Sequence, residues 1–133
     1  ETKSIKEYIE YLKSQGKQVI RIIYFNVKTK EETPLVPEVN TFHVGKWDFD
    51  RTGFPKAEDL KNTLLHDTDF FISLDLSGQW QFLGMASVCK AACKVGPFNP
   101  KHLGNYDVLI KTADKHNLNQ YLCDLKEHLN KLA

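Results

Sequence analysis

The chain is poor in the residues that mark metal sites and secreted scaffolds. Its 133 residues include only three cysteines, and an odd count does not fit a disulfide framework, so we expect a reduced, intracellular environment. Cys89 and Cys93 are spaced to meet on a helix, but no second Cys or His pair at zinc-ligand spacing accompanies them. The sequence therefore predicts neither a metal nor another cofactor.

The sequence also lacks an excess of one charge and a long apolar run. Its net charge is +1, so a polyanionic partner would need a local basic patch. No apolar run approaches the roughly 20 residues that a membrane helix requires. A charged start followed by an apolar stretch, the pattern of a signal peptide, is also missing. We therefore expect no membrane partner.

No local pattern typical of catalysis is present. The chain has no phosphate-binding glycine motif and no nucleophile elbow. Asp48 and Asp50 could act as an acid–base pair, but the following Arg51-Thr52-Gly53 is typical of a turn. Cys89 and His43 could serve a small enzyme, yet neither has a local signature. A protein without catalytic activity is the expectation.

Apolar spacing predicts a single α+β domain over residues 1–133, with a mixed or antiparallel, barrel-like sheet flanked by terminal helices. The leucine stripe of the last helix is typical of core, although it could also contact a protein partner. Loops are predicted at Thr29–Asn40 and Lys90–Lys101. The predicted helices are Ser4–Gln15, Pro55–Leu65 and Asn117–Leu132, and the predicted strands outside the hairpin described next are Gln18–Lys28, Thr41–Trp47 and Tyr106–Lys111.

The stretch Asp69–Cys89 predicts a β-hairpin, because two apolar runs flank the polar turn Ser77-Gly78. Gly84 lies inside the second run. A glycine within a strand often marks a bulge or a close approach to the backbone. We therefore expect the hairpin to form the floor of a binding site, with Gly84 leaving room beneath a flat ligand.

Aromatic residues are the main candidates for binding, although an aromatic residue in a domain of this size more often belongs to the core. Aromatic side chains stack on nucleobases and hold methylated or cationic groups. Five of them stand beside turn residues in the sequence: Trp47, Phe49, Phe54, Trp80 and Phe98.

The order of several short motifs across residues 19–112 resembles the YTH family of RNA-binding domains, a branch of the PUA-like folds. The matching pieces are Val27-Lys28-Thr29, Gly45-Lys46-Trp47, Ser73 to Gly78, Phe82 to Ala86, and Gly104 to Val108. The resemblance implies a PUA-like fold and a pocket that recognises N6-methyladenosine in single-stranded RNA.

The same resemblance implies the walls of that pocket. Trp47 would be the first cage residue, Phe98 the second and Leu103 a third wall. Lys28 and Thr29 would lie by the base or the phosphates. Beside Phe98, a basic patch is predicted from the cationic residues of the neighbouring loop: Lys90, Lys94, Lys101 and His102.

A second resemblance competes with the first. Leu74 to Phe82, followed by Gly96 to Gly104 and Asp114, looks like the first half of a PAS domain. PAS domains are sensory or dimerising modules. This resemblance implies a protein-interaction or ligand-sensing module that uses the leucine-striped C-terminal helix.

Overall fold

Four α-helices and five short strands make up the described part of the chain. The computed structural model describes residues 2–32, 40–100, 104–112 and 117–132. The predicted α+β content is confirmed, and both terminal helices lie where their apolar spacing places them. The helices are α1 (Thr2–Ser14), α2 (Glu58–Leu65), α3 (Trp80–Val88) and α4 (Leu118–Leu132); the strands are β1 (Arg21–Tyr24), β2 (Thr41–Val44), β3 (Thr68–Ile72), β4 (Ala91–Pro97) and β5 (Val108–Ile110).

The strands form two small parallel sheets. β1 pairs with β2, and a three-stranded sheet has the order β3-β4-β5. Arg21 lies opposite Thr41, and Thr68 lies opposite Ala91. Neither sheet is closed, so the predicted barrel-like sheet, mixed or antiparallel, is wrong. Parallel neighbours need a crossover connection, and α3 supplies it between β3 and β4.

The predicted hairpin is the source of this error. Its first strand exists as β3, but its second run folds as α3, and the loop predicted from Lys90 contains β4. A short, continuous apolar run does not distinguish a strand from a buried helix by its periodicity. The run from Trp80 to Val88 is of this kind, because it is apolar on almost every side.

Helices cover both faces of the three-stranded sheet. Ile72 packs against a core cluster with Tyr121 and Leu125, whereas its neighbour Phe71 packs against a second cluster with Leu64. Successive strand residues point to opposite faces, so α1 and α4 lie on one face and α2 and α3 on the other. The first cluster contains Tyr8, Val95, Ile110, Tyr121, Leu122 and Leu125, and the second Val44, Phe49, Leu60, Leu64, Met85 and Cys89.

The leucine stripe of α4 belongs to the first of these clusters. Leu122 and Leu125 are buried, and Leu118 and Leu129 pack against the same cluster. The interpretation as core is confirmed for these four leucines. Core packing accounts for the stripe at these four positions, and contact with a protein partner through this helix stays a prediction.

Gly84 does mark a close backbone approach, but the approaching group is part of this chain. Gly84 lies in α3, and a Cβ atom there would overlap the carbonyl oxygen of Gly53 and lie 2.7 Å from its carbonyl carbon. The Phe54 nitrogen would be 3.2 Å away. The space predicted for a flat ligand is therefore filled by the backbone of residues 53 and 54.

The variant Gly84→Ala should be destabilised by about 1–3 kcal/mol, because overpacking a filled site costs that much. The loss should appear even though alanine is favoured over glycine within a helix by about 1 kcal/mol. Equilibrium unfolding in urea measures the difference. Gly104→Ala is the matched control, since nothing lies within 4 Å of its added Cβ. A Gly84→Ala protein as stable as the wild type would contradict the packing of residues 53 and 54 on α3.

Candidate functional site

The three-stranded sheet has one edge at which the carboxyl ends of its strands meet. The segment Ser73–Gln79 follows β3, Phe98 follows β4 and Lys111 follows β5. In open sheets of parallel strands, ligands bind in the crevice outside these carboxyl ends. This edge, which we call the carboxyl edge, is therefore the candidate site.

Two loops of matching sequence meet at this edge, although only the second follows a strand of the three-stranded sheet. The Asp50 loop is Asp50-Arg51-Thr52-Gly53-Phe54, after β2, and the Asp75 loop is Asp75-Leu76-Ser77-Gly78-Gln79, after β3. Both read Asp, any residue, Ser or Thr, Gly, any residue. Their glycines have positive φ angles, 91° at Gly53 and 75° at Gly78, a conformation that glycine adopts without strain.

The carboxylate of Asp75 holds its loop together. It accepts hydrogen bonds from the Ser77 N–H at 3.0 Å, from the Ser77 hydroxyl at 2.5 Å and from the Gln79 N–H at 2.7 Å. Gln79 is the residue immediately before α3. The Asp75 carboxylate thus accepts hydrogen bonds from N–H groups beside the start of α3. Without it, these N–H groups would suit a phosphate.

The carboxylate of Asp50 does the same in its own loop. One oxygen accepts hydrogen bonds from the Thr52 N–H at 2.9 Å, the Thr52 hydroxyl at 2.7 Å and the Phe54 N–H at 3.1 Å. The Thr52 hydroxyl, followed by these backbone groups, lowers the pKa of Asp50 below its usual value, because each bond favours the charged form.

The Asp75 loop is anchored to the core through Ser73, which is only 3% exposed. The Ser73 N–H donates to the carbonyl of Val95 at 2.8 Å, and the Ser73 carbonyl accepts the hydroxyl of Tyr121 at 2.6 Å. The Ser73 hydroxyl accepts the Asp75 N–H at 3.3 Å. Burial raises the pKa of Tyr121, so this hydroxyl keeps its proton.

Three large aromatic residues remain exposed at the carboxyl edge. Trp80, the first residue of α3, is 66% exposed, Phe54 is 44% exposed and Phe98 is 37% exposed. We call these three residues the aromatic edge. A Cβ atom added at Gly53 would lie 2.8 Å from the Trp80 carbonyl oxygen, so Phe54 and Trp80 are neighbours. The Lys111 ammonium lies 5.4 Å from the centre of the Phe98 ring.

The cage predicted from Trp47 and Phe98 is not assembled in the described part of the chain. Trp47 lies in a 3-10 turn after β2, and its ring packs over the backbone of Gly45. The Trp47 ring makes no contact with the ring of Phe98, which directly follows β4. Lys28 and Thr29 are exposed and follow β1.

Two of the four residues predicted to form a basic patch beside Phe98 lie along β4 instead. Lys90 directly precedes β4 and Lys94 lies within it, whereas Phe98 follows its last residue. Lys90 is therefore separated from Phe98 by the whole length of the strand, roughly 26 Å. Four residues named from the sequence lie outside the described ranges: Lys101, His102, Leu103 and Asp114.

The other chemistry-bearing candidates have structural partners. The Asp48 carboxylate accepts a hydrogen bond from the Gly45 N–H at 3.0 Å. The His43 ring packs edge-on against the Phe25 ring, with 5.2 Å between the ring centres. Cys89 is buried in the second core cluster. Among the residues that the structure describes, no three His, Cys, Asp or Glu side chains are grouped to hold a metal ion. Within the same ranges, no helix combines the length and apolar character needed to cross a membrane.

Phe54 and Trp80 stand beside turns in the sequence but lie outside the motifs that predict the site. The motif order points to Trp47 instead, and that residue is partly buried. The repeated Asp-x-Ser/Thr-Gly pattern was the available signal. In both copies, an exposed ring stands at or directly after the end of the pattern.

The chain belongs to the family of unknown function DUF6913, whose model matches residues 1–132. No curated protein matches the chain, and no solved structure matches it either. Membership of this family carries no known activity. A function for the chain therefore has to come from the geometry of the carboxyl edge.

The pKa of Asp50 should rise when its hydroxyl partner is removed, as in Thr52→Val. In the wild type it lies below the usual 3.8, so the loop's hydrogen bonds persist near pH 4 and are lost as the pH falls through the native pKa. A carbon-detected NMR titration of the Asp50 carboxyl measures this. Thr63→Val is the control, since its hydroxyl bonds the carbonyl of Asp59 instead. An Asp50 pKa unchanged by Thr52→Val would contradict the loop geometry.

Proposed function

We propose that this member of a family of unknown function is a non-catalytic binding module for single-stranded RNA, with the aromatic edge as its base-stacking surface. The observation that carries the proposal is the exposure of Trp80 at the start of α3. A tryptophan that is two-thirds exposed contributes little to a core, because its large apolar surface stays in water. Its position at the carboxyl edge places it where parallel sheets bind ligands.

Stacking is the chemistry that such a surface supports best. Single-stranded nucleic acids bind to proteins by stacking their bases on aromatic side chains, each worth about 1–3 kcal/mol. Phe54 and Phe98 provide two further exposed rings at the same edge. RNA is recognised mostly in this single-stranded form, because its unstacked bases can reach flat side chains.

Cationic side chains accompany the rings, although the net charge of the chain is close to zero. Arg51 precedes Phe54 in the sequence and Lys56 follows it, and both side chains are exposed. Neither forms an ion pair with another described residue. Lys111 lies over the Phe98 ring. These three residues supply positive charge for phosphate groups where the bases would stack.

Recognition of N6-methyladenosine is the narrower form of this proposal. It requires Trp47 and Phe98 to close on one base, with Leu103 as a third wall and Lys28 and Thr29 nearby. The family resemblance supports it, whereas the packing of the Trp47 ring over Gly45 favours a structural role for that residue. Comparing methylated with unmethylated oligonucleotides separates the two forms.

Tryptophan fluorescence tests the proposal, because the two tryptophans can be observed one at a time. Trp47→Phe leaves Trp80 as the only tryptophan, and Trp80→Phe leaves Trp47. Adding single-stranded RNA of about eight nucleotides at low salt should quench the first variant and not the second. Trp80→Ala should weaken binding about ten-fold, within the range measured for lost base stacking.

Phe70→Ala is the matched control, since Phe70 is 40% exposed but lies within β3 rather than at the carboxyl edge. It should leave RNA affinity unchanged. Affinity should also fall with salt, with a logarithmic slope of about −0.7 for each phosphate contacted. Wild-type protein that binds no RNA at low salt would overturn the proposal, as would equal losses from Phe70→Ala and Trp80→Ala. A preference for methylated RNA that is lost in Trp47→Ala would support the cage.

A further inference from the structure

We infer that Asp50 and Asp75 are positioning residues, which hold Phe54 and Trp80 as a pair of platforms for two successive bases of one strand. This inference rests on the proposed function and adds to it the number of bases held and the residues that fix the rings. It is carried by the two matched loops, by their mutual contact and by the exposure of the rings that they present.

The two loops match in sequence and in hydrogen bonding, although they follow strands of different sheets. Each stands between a parallel strand and the next helix, as β2, Asp50 loop and α2, and then as β3, Asp75 loop and α3. In each, the carboxylate accepts N–H groups from the residues two and four positions further along. Because the geometry is repeated, one physical explanation covers both loops.

Each carboxylate acts on the backbone that carries a ring. Asp50 binds the N–H of Phe54 itself, at 3.1 Å. Asp75 binds the N–H of Gln79, at 2.7 Å, and Gln79 directly precedes Trp80. Charge-assisted bonds of this kind are roughly twice as strong as neutral ones, so they restrict the residue that follows. Neither aspartate needs to touch a base.

The loops meet, whereas the rings stay apart. Gly53 packs against the backbone of Trp80, and its carbonyl oxygen packs against Gly84 in α3. Phe54 and Trp80 nevertheless make no ring contact with each other. The Phe54 and Trp80 rings are exposed at neighbouring loops and do not stack on each other. This arrangement suits two bases, one on each ring, rather than one base held between two rings.

A ring held in place in advance binds more tightly, because less side-chain freedom is lost when a base stacks on it. Asp75→Ala should therefore weaken RNA binding by about five-fold or more, but by no more than Trp80→Ala does. In a Trp80→Ala background, Asp75→Ala should cause no further loss, since it acts through the missing ring. Asp50→Ala and Phe54→Ala should form an equivalent pair.

The experiment uses the Trp47→Phe protein, in which Trp80 is the only fluorophore. Time-resolved anisotropy should show a more mobile Trp80 ring in Asp75→Ala, with or without RNA. Asp75→Asn should rescue part of the effect, because its amide oxygen still accepts one N–H but its amide nitrogen cannot accept a second. Asp69→Asn, an exposed carboxylate within β3, controls for the change in charge.

A length series tests the number of bases. Affinity should rise sharply from a mononucleotide to a dinucleotide in the wild type, and this step should vanish in Phe54→Ala. Wild-type protein that binds no RNA would overturn both the proposed function and this inference. RNA binding that is weakened by Trp80→Ala but not by Asp75→Ala would overturn the inference alone. The same follows if Asp75→Ala lowers affinity equally in the Trp80→Ala background.

Discussion

The arrangement of the carboxyl edge depends on one contact between two pieces of backbone. The carbonyl of Gly53 occupies the position that a side chain at Gly84 would fill, so the Asp50 loop lies directly on α3. Gly53 also packs against the backbone of Trp80. A larger residue at position 84 would push the loop away from the helix. The two glycines thus bring residue 54 beside Trp80 through backbone contacts, since the two rings do not touch each other.

The parallel three-stranded sheet explains why the Asp75 loop and Phe98 lie at one edge, to which the Asp50 loop of the other sheet is joined through Gly53. Because α3 carries the chain across the sheet, β4 runs in the same direction as β3, and their following segments emerge together. An antiparallel hairpin would have placed those segments at opposite ends. The helix pairs α1 and α4, and α2 and α3, cover the two faces. The carboxyl edge is left free for the loops and for the exposed rings.

The sequence predicts the helices at the two ends well, because their leucine and isoleucine spacing follows one helical face. It wrongly predicts a strand for Trp80–Val88, which forms α3. A run that is apolar on almost every side has no periodicity that distinguishes a helix from a strand. Gly84 correctly predicts a close approach to the backbone, but the sequence does not show that the approaching group is the backbone of residues 53 and 54. The position of Trp80 beside Phe54 depends on packing between Gly53 and residues far along the chain, Trp80 and Gly84, which no local pattern encodes.

The proposed function and the positioning role of the two aspartates both require single-stranded RNA to stack on Trp80 at the carboxyl edge. An NMR titration of nitrogen-labelled protein with a single-stranded oligonucleotide tests it most directly, since both indole N–H groups are observed in one spectrum. Stacking on Trp80 should shift the Trp80 indole signal and the Phe54 and Gln79 amide signals, and should leave the Trp47 indole signal unmoved. Shifts centred on Trp47, or no shift at low salt, would contradict it.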